Sequence, residues 1–400
     1  MYKLLQINVT ANSGSTGKIA EAIGQLAISR GWESWIAYGR GTPQSESHLI
    51  RIGNDWDMRW HGVETRLLDN HGLASRRTTR KFISQIKEIN PDIIHLHNIH
   101  GYFINYPLLF QSLREWGSPI VWTWHDIWPM TGHCAFFGKD QCDKWKTGCH
   151  ECKRKTVYPG SLLNNRSSKN FEEKRRAFSS LDNMTIVMVS DWLNEMKKDS
   201  FLKDIPGTVI HNGIDLNVFS PESTPSKEKE YVLAVANVWT KEKGWDDLMS
   251  LRKILSDDID IIMVGLNDKQ MANLPEGIRG LRRTQNINEL RSLYSNAIAF
   301  INPTWGDNFP TTNIEAMACG TPVITYRTGG SPEAIDSNTG IVVEQGDVQG
   351  LKKAIETIRT SSDRFTPELC RGRAEKYFNQ DDRFEEYFEL YEKIINKDGL

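Results

Sequence analysis

The stretch INPTWGDNFPTTNIEAMACGTPVIT, residues 301–325, carries two carboxylates, Asp307 and Glu315, with seven residues between them. An apolar run ends at Pro303, and a loop rich in Gly, Asn and Thr follows. The segment Thr312 to Ala318 then reads as a helix start, with Thr311 or Thr312 as its cap. Free N–H groups at a helix start, together with the helix dipole, make an anion site. A diphosphate suits it.

A second glycine-rich loop, ANSGSTGKIA at residues 11–20, follows the apolar run YKLLQINVT. It is not a P-loop. That motif needs glycine five residues before Gly17 and Ser or Thr after Lys18, and the chain has Asn12 and Ile19 there. Gly14 and Gly17 instead let a ligand or another backbone approach closely, and Lys18 reads as a helix-surface lysine.

Three histidines crowd the stretch IIHLHNIH: His95, His97 and His100. His95 and His97 share one strand face, which would suit a metal pair, but no acidic third ligand is near and a polar site lining is the preferred reading. Two D-x-D matches, Asp55-Trp56-Asp57 in a polar loop region and Asp258-Ile259-Asp260 at a turn into a strand, read as chance. No catalytic metal is expected. Four of the six cysteines, Cys134, Cys142, Cys149 and Cys152, fall within residues 133–155. Four thiolates with one C-x2-C pair suit a tetrahedral structural zinc site, with free or paired cysteines as the alternative. Cys319 and Cys370 read as ordinary small residues.

The elements that position these residues alternate. KLLQINV, SWIAYGR, DIIHLHN, PIVWTWHD and MTIVMVS read as short buried strands, with helices such as Gly17 to Arg30 and Thr78 to Asn90 between them. The pattern restarts with GTVIHNG, YVLAVANV, DIIMVG, AIAFINPT, TPVITYR and GIVVE. The expected fold is α/β, with two doubly wound units facing one cleft at the carboxyl ends of their strands. The expected domains are residues 1–207, with a Cys-rich insertion at 133–155, then 208–375. A final helix over 376–400 is expected to pack back on the first domain. The polar segment SPESTPSKEKE, residues 220–230, reads as a surface loop.

Four hundred residues suit two domains, and 39% hydrophobic with 25% charged residues is a globular composition. Mean hydropathy is −0.49 and no apolar run approaches the length of a membrane span. The opening YKLLQINV carries no signal-peptide pattern, so a cytoplasmic location is expected. Residues 1–208 hold 27 Lys and Arg against 21 Asp and Glu, a net of +6, and residues 209–400 hold 22 against 30, a net of −8. Clusters in the basic half, such as Arg76, Arg77, Arg80 and Lys81, suit contact with anionic lipid, as a peripheral attachment, or with phosphate, or are solvated helix faces. No nucleic-acid module is recognisable.

Taken together, the motifs resemble the GT-B glycosyltransferases of family 4, the large retaining group. The spacing of Asp307 and Glu315 is similar to that family's E-x7-E element. VIHNGIDLNVF, residues 209–219, resembles the start of its second domain, and VANVWTKEKGWDDLM, residues 235–249, its strand-loop-helix with the donor-phosphate lysine, here Lys243. EAMACGTPVIT resembles its most recognisable run, and TWHD, residues 123–126, the site of its first-domain histidine, here His125. The resemblance implies transfer of a sugar from a nucleotide diphosphate sugar to an acceptor, with retention. It implies that Glu315 holds the ribose hydroxyls, Lys243 neutralises the diphosphate, and the backbone of Asn308, Phe309, Pro310, Thr311 and Thr312 touches sugar and phosphate. His125 would sit near the donor sugar, with Gly14 and Gly17 facing the diphosphate.

Two departures stand out. The first acid is Asp307 rather than Glu, and the usual arginine of the phosphate pair is missing. Asn237 lies closest to its place, and Lys241 would supply the second positive charge. His97, His100 and Asp126 are candidates for the acceptor side. Glu315 as a mere helix-start acid, Lys243 as a surface lysine and His125 as a strand-end histidine are the plainer readings. The Cys-bearing insertion and DNFPTTN resemble bacterial enzymes of capsule, O-antigen or exopolysaccharide assembly. That resemblance implies a polyprenyl-diphosphate-linked saccharide acceptor. The alternatives are a nucleotide-sugar epimerase or hydrolase on the same scaffold, and a zinc module that binds a partner on an inert scaffold.

Overall fold

The computed structural model describes residues 1–137, 142–222, 229–361 and 363–397. These divide into two units, one of residues 1–137, 142–210 and 384–397, the other of 211–222, 229–361 and 363–383.

The first unit is a parallel sheet of β1 (Lys3–Asn8), β2 (Glu33–Tyr38), β3 (His48–Arg51), β4 (Ile93–Leu96), β5 (Ile120–Trp124), β6 (Met184–Met188) and β7 (Gly207–Val209), in the order β3-β2-β1-β4-β5-β6-β7. Its helices are α1 (Gly14–Ser29), α2 (Asp55–Leu68), α3 (Arg76–Ile89), α4 (Tyr106–Trp116), α5 (Ser167–Phe178) and α6 (Asp191–Lys198). The second unit's strands are β8 (Tyr231–Val235), β9 (Asp260–Val264), β10 (Ile278–Leu281), β11 (Phe300–Asn302), β12 (Val323–Tyr326) and β13 (Gly340–Val343). They run parallel in the order β10-β9-β8-β11-β12-β13. Its helices are α7 (Trp245–Arg252), α8 (Asp268–Met271), α9 (Ile287–Ser295), α10 (Thr311–Ala318), α11 (Val348–Thr360) and α12 (Pro367–Phe378), and α13 (Gln380–Lys397) ends the described chain.

The central strands are near-continuous Val, Ile and Leu because helices cover both faces of a parallel sheet. IVWTW of β5 is fully buried, and Trp122 packs against Phe110, Phe178 and Trp124. Phe384, Tyr387, Phe388 and Tyr391 of α13 join Leu4, Ile93, Val121 and Val187 in one core cluster. Burying each such ring stabilises the unit by roughly 1.5–3 kcal/mol.

Four elements differ from the sequence reading. GTVIHNG does not open the second unit. Its strand Gly207–Val209 pairs with β6, Ile186 opposite Gly207, and the first unit runs on to Ile210. The four-residue edge strands HLIR and IRGL, β3 and β10, had no apolar run to mark them, because edge positions are part-exposed. Asp55-Trp56-Asp57 is not loop but the first turn of α2, where Asn54 and Asp57 form a reciprocal capping box. Residues 223–228 of the expected surface loop, and 138–141 of the Cys-rich insertion, lie outside the described residues.

Strand order reverses beside β1 and β4 in the first sheet and beside β8 and β11 in the second. Such switch points are where open α/β sheets bind ligands. The loops singled out in the sequence are the ones that leave these strands.

Candidate functional site

In the second unit, the chain leaves β8 through Ala236 to Thr240, makes a 3₁₀ turn at Lys241–Lys243 and enters α7. Thr240 caps the turn by accepting from the Lys243 N–H at 3.3 Å. Gly244 follows at φ +82°, and a Cβ there would lie 2.4 Å from the Pro303 carbonyl oxygen. Only glycine lets the β8 loop press this closely on the β11 loop. The Trp305 N–H donates to the Glu242 carbonyl at 2.7 Å and fastens the two loops together.

The result is a contact across 64 residues of sequence: Lys243 Nζ lies 2.7 Å from Asp307 Oδ2. The other carboxylate oxygen of Asp307 accepts from the Asn308 N–H at 2.9 Å. Lys241 is exposed and reaches Asp246 Oδ2 at 3.7 Å instead. Asn237 is exposed on the same loop.

The cap of α10 lies one residue before the nearer of the two expected, Thr311. Pro310 holds the N-cap position, offers no side-chain acceptor, and Thr311 and Thr312 are the first helical residues. The first turn carries no acid, so the positive end of the helix is uncompensated. The helix start is held rigidly. Asn313 accepts from Asn302 at 2.9 Å and donates to Ser331 Oγ at 3.1 Å, and Ser331 meets Thr325 at 2.6 Å. Phe309 is buried against His211 and Phe378, with its carbonyl accepting from Asn212 at 3.2 Å. Glu315 lies one turn into α10 and accepts from the Tyr294 hydroxyl at 3.0 Å. Tyr294 is fully buried, and burial followed by the Glu315 charge raises its hydroxyl pKa well above the ordinary value. It stays a donor. Sequence reading missed Tyr294, which sits on α9 with no motif around it.

In the first unit, the β1 loop places Gly14 at the first position of α1. Gly17 is buried, and a Cβ on it would come 2.7 Å from Thr10 Oγ1. Lys18 is exposed. Beyond β4 and β5, His97, His100, His125 and Asp126 assemble. His97 meets His125 at 3.2 Å and Gln6 at 3.1 Å. His100 Nε2 lies 2.6 Å from Asp126 Oδ2, and its Nδ1 lies 3.0 Å from the Tyr158 hydroxyl. Burial lowers the His125 pKa to about 4, with Asp126 opposing and His100 reinforcing, so the ring is neutral near pH 7. Burial pushes the Asp126 carboxyl upward, but the charge and hydrogen bond of His100 outweigh it and leave the pKa lowered. His95 stands apart: its two ring nitrogens meet Thr123 at 2.7 Å and Tyr391 at 2.6 Å, so it ties β4 to β5 and α13.

Among its described residues, the Cys-rich segment has one short 3₁₀ turn, Lys144–Lys146. Cys134 and Cys152 have their sulfurs 3.7 Å apart, and the Gly132 N–H donates to Cys149 Sγ at 3.1 Å. Among the described residues no three of the sulfurs of Cys134, Cys142, Cys149 and Cys152 lie within 4.8 Å of one another. Beneath them Lys174 is fully buried. It donates to the Trp128 and Thr131 carbonyls at 2.7 and 2.9 Å and sits 3.6 Å from the centre of the Trp128 ring. Nothing in the sequence separated it from the exposed Arg175 and Arg176 beside it.

The family model for Glycosyltransferase Family 4 matches residues 19–218, and the model for Glycosyl transferases group 1 matches residues 229–361. The chain belongs to glycosyltransferase family 4. This family 4 chain is 25% identical over 372 residues to WcaC of Escherichia coli (strain K12), named as a colanic acid biosynthesis glycosyl transferase. That match spans 87% of this chain and 89% of WcaC. It is 31% identical over 166 residues to the O-antigen chain mannosyltransferase RfbU of Salmonella typhimurium, spanning 39% of this chain and 45% of RfbU. Sucrose-phosphate synthase from Thermosynechococcus elongatus superposes with a TM-score of 0.74 at 17% identity, over 99% of this chain and all of that one. Anabaena Alr3699/HepE, solved with UDP-glucose, gives 0.69 at 14% identity, over 98% of this chain and 100% of that one. The fold is GT-B, with two Rossmann-like units.

Proposed function

We propose that this glycosyltransferase moves a sugar, with retention, from a nucleoside diphosphate sugar to a lipid-linked saccharide during assembly of a bacterial surface polysaccharide. The observation that carries the donor half is the Lys243–Asp307 pair, in the same unit as the uncompensated start of α10 that bears Glu315. In this reading Lys243 and the Thr311 and Thr312 N–H groups meet the diphosphate. Glu315, held by Tyr294, accepts from the ribose hydroxyls, and Asn308 to Pro310 border the sugar. The bond from the anomeric carbon to the diphosphate oxygen breaks, and charge grows on that oxygen. An acceptor hydroxyl forms the new bond and gives up its proton. Fixed N–H groups and one ammonium stabilise the growing charge without reorganising. Neutral His125 can share a hydrogen bond with a sugar hydroxyl. His97, His100 and Asp126 serve the acceptor.

The names of WcaC and RfbU support the polysaccharide setting, and the UDP-glucose in the Anabaena structure supports the donor class. Family membership leaves the epimerase and hydrolase alternative without support. The test is release of nucleoside diphosphate from a panel of sugar donors with acceptor present, for wild type and Glu315→Ala. Equal turnover by the two removes Glu315 from the site.

We also propose a structural zinc ion on Cys134, Cys142, Cys149 and Cys152. Two thiolates on one tetrahedral zinc, at about 2.3 Å each, stand about 3.8 Å apart, and Cys134 and Cys152 are 3.7 Å apart. Cys142 and Cys149 would supply the other two thiolates.

A further inference from the structure

Helix α2 is amphipathic the wrong way round. A helix on a globular domain buries its apolar stripe and shows its polar face to water. Trp56, Trp60, Val63 and Leu67 are spaced by four, three and four residues. At 3.6 residues per turn they fall within an arc of about 60° on one face. That face is exposed: Trp56 is 76% and Trp60 64% accessible, and Val63 and Leu67 are exposed as well. The residues α2 buries are His61 and Thr65, on the opposite side.

The stripe continues beyond the helix. The Leu162 N–H donates to the Arg66 carbonyl at 2.7 Å, which seats the next loop against the end of α2. Leu162 and Leu163 at that loop are 63% and 69% accessible. Two tryptophans and four aliphatic side chains are thus exposed on α2 and on the loop held to its end.

The surroundings are cationic. A groove of about 850 Å³ runs from Trp60 along α3 and α5, and it is lined by Arg76, Arg77, Arg80, Arg114, Arg166 and Arg176. Three carboxylates share the lining: Asp57, Glu64 and Glu173. Asp57 is occupied capping α2, and Glu173 pairs with Arg166 at 3.4 Å. Among the described residues, no carboxylate lies within 4.0 Å of Arg76, Arg77, Arg80, Arg114 or Arg176. Arg59 stacks over the Trp56 ring at 5.1 Å, next to the stripe.

We infer that the α2 stripe and the arginine groove are a docking surface for an anionic phospholipid bilayer. Tryptophan prefers the depth of lipid headgroups, aliphatic side chains enter the acyl boundary, and arginines meet lipid phosphates around them. A soluble polyanion would use the arginines and leave the leucines idle. A second copy of this chain would bring the same positive charge to the same patch. The inference rests on the lipid-linked acceptor proposed above, to which it adds the surface that reaches the membrane.

The experiment is co-sedimentation of the full chain with vesicles of equimolar phosphatidylglycerol and phosphatidylcholine, and with vesicles of phosphatidylcholine alone. Binding to the anionic vesicles, weakened by high salt, is expected. Each arginine near an anionic surface changes partitioning roughly fivefold, so Arg76→Gln with Arg77→Gln and Arg80→Gln should weaken binding roughly a hundredfold. Trp56→Ser with Trp60→Ser should also release the protein. Both variants should keep the wild-type melting temperature and its rise with donor, since every changed side chain is exposed and none is among the proposed donor residues. Absent binding, equal binding to both vesicles, or wild-type binding by both variants overturns the inference. So does self-association without lipid that Trp56→Ser with Trp60→Ser abolishes. Vesicle binding without transfer to any lipid-linked acceptor leaves the docking surface standing and removes the acceptor reading. Transfer without vesicle binding does the reverse.

Discussion

Replacing Lys243 with alanine should abolish most transfer while leaving the fold intact. The Lys243–Asp307 pair is part-exposed, with side chains 39% and 21% accessible, and such pairs contribute about 0–1 kcal/mol to stability. The melting temperature should therefore barely move. Catalysis is different, because charge grows on the leaving diphosphate as the anomeric bond breaks. An ammonium about 4 Å from a full charge, at an effective dielectric near 20, is worth about 4 kcal/mol. At about 1.36 kcal/mol per decade this is roughly a thousandfold in kcat/KM.

Asp307 sharpens the test. If its carboxylate serves to hold Lys243, then Asp307→Asn costs activity in the wild type and almost none in Lys243→Ala. Residues in direct contact couple by about 0.5–3 kcal/mol, and these two touch at 2.7 Å. The assay is steady-state release of nucleoside diphosphate by the four proteins of the cycle. A Lys243→Ala enzyme within tenfold of wild type refutes the assignment of Lys243. Strict additivity refutes the link between the two side chains and gives Asp307 a role of its own.

Tyr294→Phe keeps the buried ring and removes the hydrogen bond to Glu315. The KM for donor should rise roughly tenfold with the melting temperature little changed, and an unchanged KM would mean Tyr294 does not position Glu315. Acid should destabilise the chain through its buried histidines. Burial lowers the His61 pKa to about 4 from 6.5, so the folded state binds fewer protons than the unfolded. The stability is fully present above pH 6.5 and is lost as pH falls toward 4. At pH 5 His61 alone removes about 2 kcal/mol. Denaturant unfolding at pH 7 and pH 5 checks this, and a His61→Gln variant that loses as much stability between them as wild type would contradict it. Native mass spectrometry should find one zinc ion per chain and none in Cys149→Ser, whereas a folded, metal-free wild type from zinc-supplied cells would refute the zinc site.

Much of the site was legible because its signals are local. The spacing of Asp307 and Glu315 placed one on a strand-end loop and the other on the helix after it. The resemblance of residues 235–249 to a strand-loop-helix singled out Lys243, and a strand, a loop and a helix stand there. The same locality explains the misplaced cap of α10, since Thr311, Thr312 and Pro310 differ by one or two residues and helix ends resolve no more finely in a sequence.

Local residue patterns dictate the alternation of strands and helices, and with it two parallel sheets and the loops that must carry the chemistry. Tertiary structure alone decided partners distant in the chain. Gly207–Val209 is too short to choose a sheet, and it joined the first unit because β6 offered it backbone partners. Lys243 meets Asp307 because β8 and β11 are neighbours where the strand order reverses. Tyr294 meets Glu315 because α9 and α10 pack together. The apolar stripe of α2 was written in its residues, but periodicity cannot say which face of a helix turns inward. Packing decided that, by burying His61 and Thr65 and leaving Trp56 and Trp60 in water.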